Sequence, residues 1–232
     1  MTNLFQIIND GGAIAYLIVV MGFFAIALIF ERVKALYFDY SMKSEKFSNQ
    51  IKSLLIDDKV EEAITYCATN DSAPLPHVVK AVLERSDRDE NSINSGLDIA
   101  LAEIIPSLGK RLGYLSMIAN VVTLMGLLGT ISGLIMAFAA VAEADASQKS
   151  EILAKGISMA MNTTALGLSV AIPVMVIYAF LHTKQNAILE EIVEHSTKVV
   201  DLLCNRQYEQ VDAKVKFPSA PEDSSKTDAL AS

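Results

Sequence analysis

Three stretches of this 232-residue chain carry no Asp, Glu, Lys or Arg: Gly11 to Phe30, Leu112 to Ala142 and Gly156 to Thr183. They are 20, 31 and 28 residues long. A helix crossing a hydrocarbon core of about 30 Å needs about 20 mostly apolar residues. Lipid offers no partner to a backbone N–H or C=O, so each run must satisfy its own as a helix. Buried helices of soluble proteins are rarely this long and charge-free. The chain is 52% hydrophobic and only 20% charged, which excludes a disordered polymer. No strand-like alternation of any length occurs. The expected fold class is an all-α membrane protein: three transmembrane helices with a helical cytoplasmic domain.

The Lys and Arg residues set the orientation. None precedes the first run, eleven lie between Glu31 and Arg111, two between Glu143 and Lys155, and six after the third run. Those nearest the apolar runs, Arg32, Lys34, Lys110, Arg111 and Lys184, all mark one side. The N-terminus is expected outside, and the large loop and C-terminus inside. The first run lacks a basic residue before it and exceeds the usual h-region, so it reads as a span rather than a cleavable signal. The resulting division is 1–11 outside, 12–30 first span, 31–111 helical loop domain and 112–142 second span, extending inward. It continues with 143–155 as a short outside loop, 156–183 third span, 184–216 cytoplasmic helix and 217–232 disordered tail.

Within the loop, Val60, Ile64 and Cys67 recur at helical spacing, with Asp57 and Asp58 placed to cap. Asn70 to Pro76 is a turn-rich break. Val78, Val79, Val82 and Leu83 form a further stripe. Leu97 to Ile105 leads toward the second span, with Pro106 and Gly109 between. After Lys184, Ile188, Ile192, His195, Val199 and Leu202 form a 3.5-residue seam that packs helix on helix. Cys67 reads as a core residue and Cys204 as an interfacial one. Neither has a metal-ligand neighbour at the right spacing, and no phosphate loop or Ser/His/Asp set occurs, so no enzyme is expected. The net charge of −8 carries no basic surface for nucleic acid.

The spans hold small and polar groups in place of charges. Ser116, Asn120, Thr123 and Thr130 fall within about 80° of one another at about 100° per residue. Gly126, Gly129 and Gly133 occupy the adjoining face, the last two as a GxxxG. In the third run Ser158, Asn162 and Ser169 share a face with Pro173, while Thr164 points elsewhere on an ideal wheel. Two readings stand side by side. Small polar residues glue membrane helices together, which is the commoner use. Alternatively they line a hydrated pathway.

Asn120-Val-Val-Thr-Leu-Met-Gly-Leu-Leu-Gly-Thr130, continuing to Phe138, resembles the second-span signature of the MotA/TolQ/ExbB proton channel family. Gly156-Ile-Ser-Met-Ala-Met-Asn-Thr-Thr164, continuing to Pro173, resembles the third-span signature. Glu31-Arg32 and Val60 to Glu84 fit as well, so the resemblance runs from about Gly11 to Leu203. Three spans with the large loop after the first are similar to the ExbB/TolQ branch. The resemblance implies a pentamer in the bacterial inner membrane around an ExbD/TolR-like single-span partner whose Asp takes and releases the ion. A TonB/TolA-like protein would transmit the force to the envelope.

Thr130 and Thr164 match family threonines that face the pore and partner. Asn120, Thr123, Ser158, Asn162 and Thr163 complete the expected ion pathway, with Gly126, Gly129, Gly133, Gly167 and Pro173 as packing positions. No cofactor is expected beyond the transported proton or sodium ion. Relatives often carry Glu five residues before the last threonine; here that residue is Met159, a departure that weakens the choice of proton over sodium. A flagellar or gliding-type stator and a non-conducting membrane scaffold are the alternatives. A secondary transporter would show repeats and intramembrane charge.

Overall fold

Among the residues described by the computed structural model, 12–40, 44–70 and 73–216, every regular element is a helix. The expected outer N-terminus, 1–11, and the expected disordered tail, 217–232, lie outside the described residues. Helix α1, Gly12–Lys34, runs into a π-helical turn, Ala35–Asp39. Four helices follow: α2 (Ser44–Ile56), α3 (Val60–Thr69), α4 (Pro74–Leu83) and α5 (Glu90–Gly109). The last two are α6 (Leu112–Glu143) and α7 (Lys149–Lys216). Three segments are long and apolar enough to cross a membrane: Gly12–Phe38, Glu90–Glu143 and Lys149–Tyr208.

The chain forms two compact units. The first holds α1, α5 from Leu101, α6, and α7 as far as Ile192. Here α1 packs on α6, and it buries Ala15, Ile18, Gly22, Ala25, Leu28 and Arg32 at spacings of three and four. Its other faces carry Phe23 and Phe30, 70% and 73% exposed, and α6 likewise exposes Leu124 and Ile135. Such surface suits lipid or a neighbouring chain and is untenable in water. Pro106 lies inside α5. The helix breaks after it, at Lys110 and Arg111, where Arg111 adopts a left-handed φ of 62° and becomes the N-cap of α6.

The link between α6 and α7 is shorter than the charge pattern suggests. Only residues 144–148 separate the helices, and the charged stretch from Lys149 to Lys155 is already the first turns of α7. Loss of hydrophobicity marks where lipid contact stops, not where a helix must stop. Glu151 in that first turn suits the helix dipole.

In the second unit, Phe47, Ile51 and Leu55 of α2 pack toward Ala63 and Cys67 of α3, and the Phe47 and Tyr66 rings stack at 5.5 Å. Asp57 and Asp58 do not cap α3. Lys59 is its N-cap, and Asp58 instead takes a left-handed φ of 63° that turns the chain out of α2. The break expected to reach Pro76 ends earlier, since Pro74 opens α4 and Pro76 sits in its first turn, where no N–H is needed. Val78, Val79, Val82 and Leu83 are buried as the stripe predicts.

Along α7 after Lys184, Ile188, Ile192, Ser196, Val199, Val200, Leu203 and Cys204 are buried, while His195 and Leu202 are only half-buried. A straight helix of 3.6 residues per turn drifts off a 3.5-residue repeat, and the drift moves Ser196 and Leu203 into the seam.

Three consecutive side chains of α7 fasten this unit. Arg206 pairs with Asp58. The Gln207 amide donates to the carbonyls of Ser86 at 2.8 Å and Arg88 at 2.6 Å. Tyr208 donates to Glu90 Oε2 at 3.0 Å. Gln207 therefore closes the turn between α4 and α5. Gln207→Ala is expected to destabilise the unit by about 1–3 kcal/mol, because two carbonyls lose their donor. Hydrogen exchange should accelerate across residues 84–92, and unchanged exchange there would show that the clasp carries no stability.

Candidate functional site

The first unit holds a close helix crossing built from the smallest side chains of the two signature segments. Gly126, Gly129, Gly133 and Ala137 of α6 face Gly167, Thr164, Thr163, Ala160 and Gly156 of α7. A Cβ built on Gly167 would stand 3.0 Å from Val122 O and 3.1 Å from Gly126 Cα. One on Gly133 would stand 3.2 Å from Ala160 Cα. The backbones are thus in contact, the arrangement small residues permit in membranes. On the α1 side, Gly22 admits Val170, whose Cγ1 would lie 3.2 Å from an added Cβ.

One hydroxyl bonds across the crossing. Thr164 Oγ1 donates to Gly126 O at 3.0 Å. Its neighbour Thr163 is 2% exposed, lies against Gly129, and donates to Ala160 O of its own helix at 2.7 Å. Thr163 therefore sits inside the helix pair, and Thr164 at its edge.

The remaining polar side chains lie beside this seam. Asn120 and Thr123 are exposed, while Ser116 and Thr130 are half-buried. Thr123 donates to Ala119 O at 2.9 Å and Thr130 to Leu127 O at 2.6 Å. Across on α7, Ser158 and Ser169 are exposed and Asn162 is half-buried. Back-bonding to the i−3 or i−4 carbonyl ties up the hydroxyl hydrogen and leaves oxygen lone pairs facing outward. The stripe can therefore accept hydrogen bonds from water or complete an ion's coordination shell. It contains no group that changes charge near neutral pH.

Of the sequence-derived positions, Gly126, Gly129, Gly133, Gly167, Thr163 and Thr164 come together in the seam. Asn120, Thr123, Thr130, Ser158 and Asn162 border it or face away from the chain. Pro173 is exposed, away from the close crossing, and Met159 is half-buried. Among the described residues no group of three or more His, Cys, Asp or Glu could hold a metal ion. The threonine contact with Gly126 O was hidden from a helical wheel, because Thr164 reaches a partner across the pair rather than along its own face.

These features define an all-α polytopic membrane protein with a glycine-mediated helix pair flanked by an uncharged polar stripe. Residues 70–194 match the model of the MotA/TolQ/ExbB proton channel family, and the chain belongs to that family. ExbB of Aquifex aeolicus is 37% identical over 36% of this chain and 55% of its own length. TolQ of Haemophilus influenzae is 35% identical over 41% of each. An ExbB homologue of Methanothermobacter thermautotrophicus is 24% identical over 76% of this chain and 62% of its own. The chain thus spans between 41% and 62% of the length of these curated relatives.

Met159 offers a test confined to this site. Met159→Ala is expected to keep at least half of the activity that Thr164→Val loses, since a thioether carries no proton and serves as flexible filling. Equal losses would give Met159 a part in the pathway.

Proposed function

We propose that this chain is the ring-forming subunit of a bacterial inner-membrane motor driven by movement of protons or sodium ions. A single-span partner of the ExbD/TolR type supplies the titrating Asp, and the motion does work on the envelope, through a TonB/TolA-like protein or its equivalent. The observation that carries this reading is the stripe of exposed Asn120, Thr123 and Ser158 with half-buried Thr130, on helix segments that hold no Asp, Glu, Lys or Arg. An Asn turned toward lipid is costly, so the stripe needs a second chain or water beside it. The named relatives, biopolymer transport proteins and a Tol-Pal system protein, support the same class of role.

A second reading has one specific observation in its favour. Thr163 and Thr164 are engaged within or at the edge of the helix pair, as glue would be. Thr130→Val and Thr164→Val separate the two. Membrane hydrogen bonds are worth about 0.6–2 kcal/mol, so the variants should insert and oligomerise as pentamers yet lose function. Variants that fail to oligomerise would favour the scaffold.

The orientation proposed places residues 144–148 in the periplasm and the loop domain in the cytoplasm. Cys67 and Cys204 are both buried and make poor reporters. Ser147→Cys and Ser95→Cys place thiols at exposed positions. An impermeant thiol reagent applied to spheroplasts should label the first before lysis and the second only after it. The reverse order would invert the topology.

A further inference from the structure

Three separate stretches of chain bring their bases to one edge of the first unit: Arg32 and Lys34 at the end of α1, Lys110 and Arg111 at the α5–α6 break, and Lys184 on α7. Contacts hold the stretches together. Glu31 Oε1 accepts from Arg32 Nη2 at 3.3 Å and from Arg111 Nη1. Lys184 Nζ lies 5.8 Å from the centre of the Tyr37 ring. Gln185 lies against Gly109, its Nε2 3.2 Å from where a Cβ would stand.

The positive charge at this edge exceeds what Glu31 can answer. Arg32 is 4% exposed, and its Nε and Nη1 find no acceptor among the described residues. A buried guanidinium with open donors keeps its field, since arginine does not deprotonate. The first turn of α6 adds the positive end of a 32-residue helix whose N-cap, Arg111, offers no side-chain acceptor. Arg111 is only partly engaged, with 44% of its side chain exposed, and Lys34 and Lys110 are exposed. Phe30, Tyr37, Phe38 and Tyr114 stand exposed around the same edge, as aromatic side chains do at the headgroup level.

We infer that this edge binds the phosphate of an anionic phospholipid. Arg111, Lys110 and Lys184 would contact the headgroup, Arg32 would supply charge from behind, and the acyl chains would lie along the exposed apolar faces of α1 and α6. Basic pockets between spans at a membrane surface recognise lipid phosphate in this way. The apolar and aromatic surround favours a lipid over a free phosphate ion, which would gain nothing from it.

The test uses the purified full chain in nanodiscs of phosphatidylcholine alone or with a minor share of phosphatidylglycerol. Thermal unfolding is followed, and retained lipid is identified by native mass spectrometry. Phosphatidylglycerol should be retained in preference and should raise the unfolding temperature. Removing two charges with Lys110→Gln and Lys184→Gln should weaken that preference about fivefold per charge. Those substitutions leave the Glu31 contacts intact, so the result does not depend on whether Arg111→Gln folds. Equal retention of the two lipids, or a preference untouched by the double substitution, would overturn the inference. So would inorganic phosphate stabilising the chain equally in phosphatidylcholine alone, because that outcome assigns the edge to a soluble ion.

Discussion

Gly129→Leu is expected to abolish the folded first unit. A Cβ at Gly129 would stand 2.5 Å from Thr163 Oγ1 and 2.7 Å from Thr163 Cβ, closer than real side-chain carbons approach. Thr163 has no room to retreat, being 2% exposed and bonded to Ala160 O. The helices must separate, and separation also breaks the Gly126–Thr164 and Gly167–Val122 contacts. Overpacking of this kind costs about 1–3 kcal/mol for a modest insertion, and leucine adds three more carbons than the first that already clashes. Purified yield in mild detergent should fall at least tenfold. Gly113→Ala is the matched control. It lies on the same helix with nothing within 4 Å, so it should be neutral or stabilise by up to about 1 kcal/mol. Thermal unfolding of the two variants beside the parent checks both statements, and a well-folded Gly129→Leu protein would show the seam to be loose.

The contrast between those glycines explains what could be read from the chain before its structure. Charge-free runs marked the three membrane segments because lipid enforces that composition on any helix it surrounds. The glycine face of α6 was legible for a related reason, since a wheel reports which side of one helix is small. It does not report what the small side meets. Thr163 and Thr164 are adjacent, and only the crossing geometry puts one inside the pair and gives the other the carbonyl of Gly126. The clasp of Arg206, Gln207 and Tyr208 was invisible for another reason. Polar residues on a helix look alike until a distant turn, here residues 84–89, is brought against them. Asp57 and Asp58 had the composition of a cap, but a left-handed turn at Asp58 spends that carboxylate on Arg206 instead.

The second large effect concerns ion movement. The three charge-free runs offer hydroxyls, amides and backbone carbonyls, no carboxylate, and one imidazole, His182, exposed one residue before the end of the third run and away from the polar stripe. A proton-driven cycle needs a group that titrates or an unbroken chain of water. A sodium-driven cycle needs several oxygens, usually with a compensating negative charge. The hydroxyl hydrogens of Thr123 and Thr130 are committed to their own helix, so their oxygens can orient water or solvate an ion. They cannot supply the charge that alternates between two states, and in the motor proposed above that group is the partner's Asp. Replacing the partner's intramembrane Asp with Asn should therefore abolish flux as completely as omitting the partner. Thr130→Val should impair flux while leaving the complex assembled.

Ion flux through reconstituted vesicles, measured for this chain alone and with a co-expressed single-span partner bearing an intramembrane Asp, tests the account most directly. The predicted result is flux near the protein-free baseline for the chain alone, and selective proton or sodium flux with the partner that disappears on Asp→Asn. Robust selective flux from the chain alone, or a monomer that ignores every such partner, would contradict it.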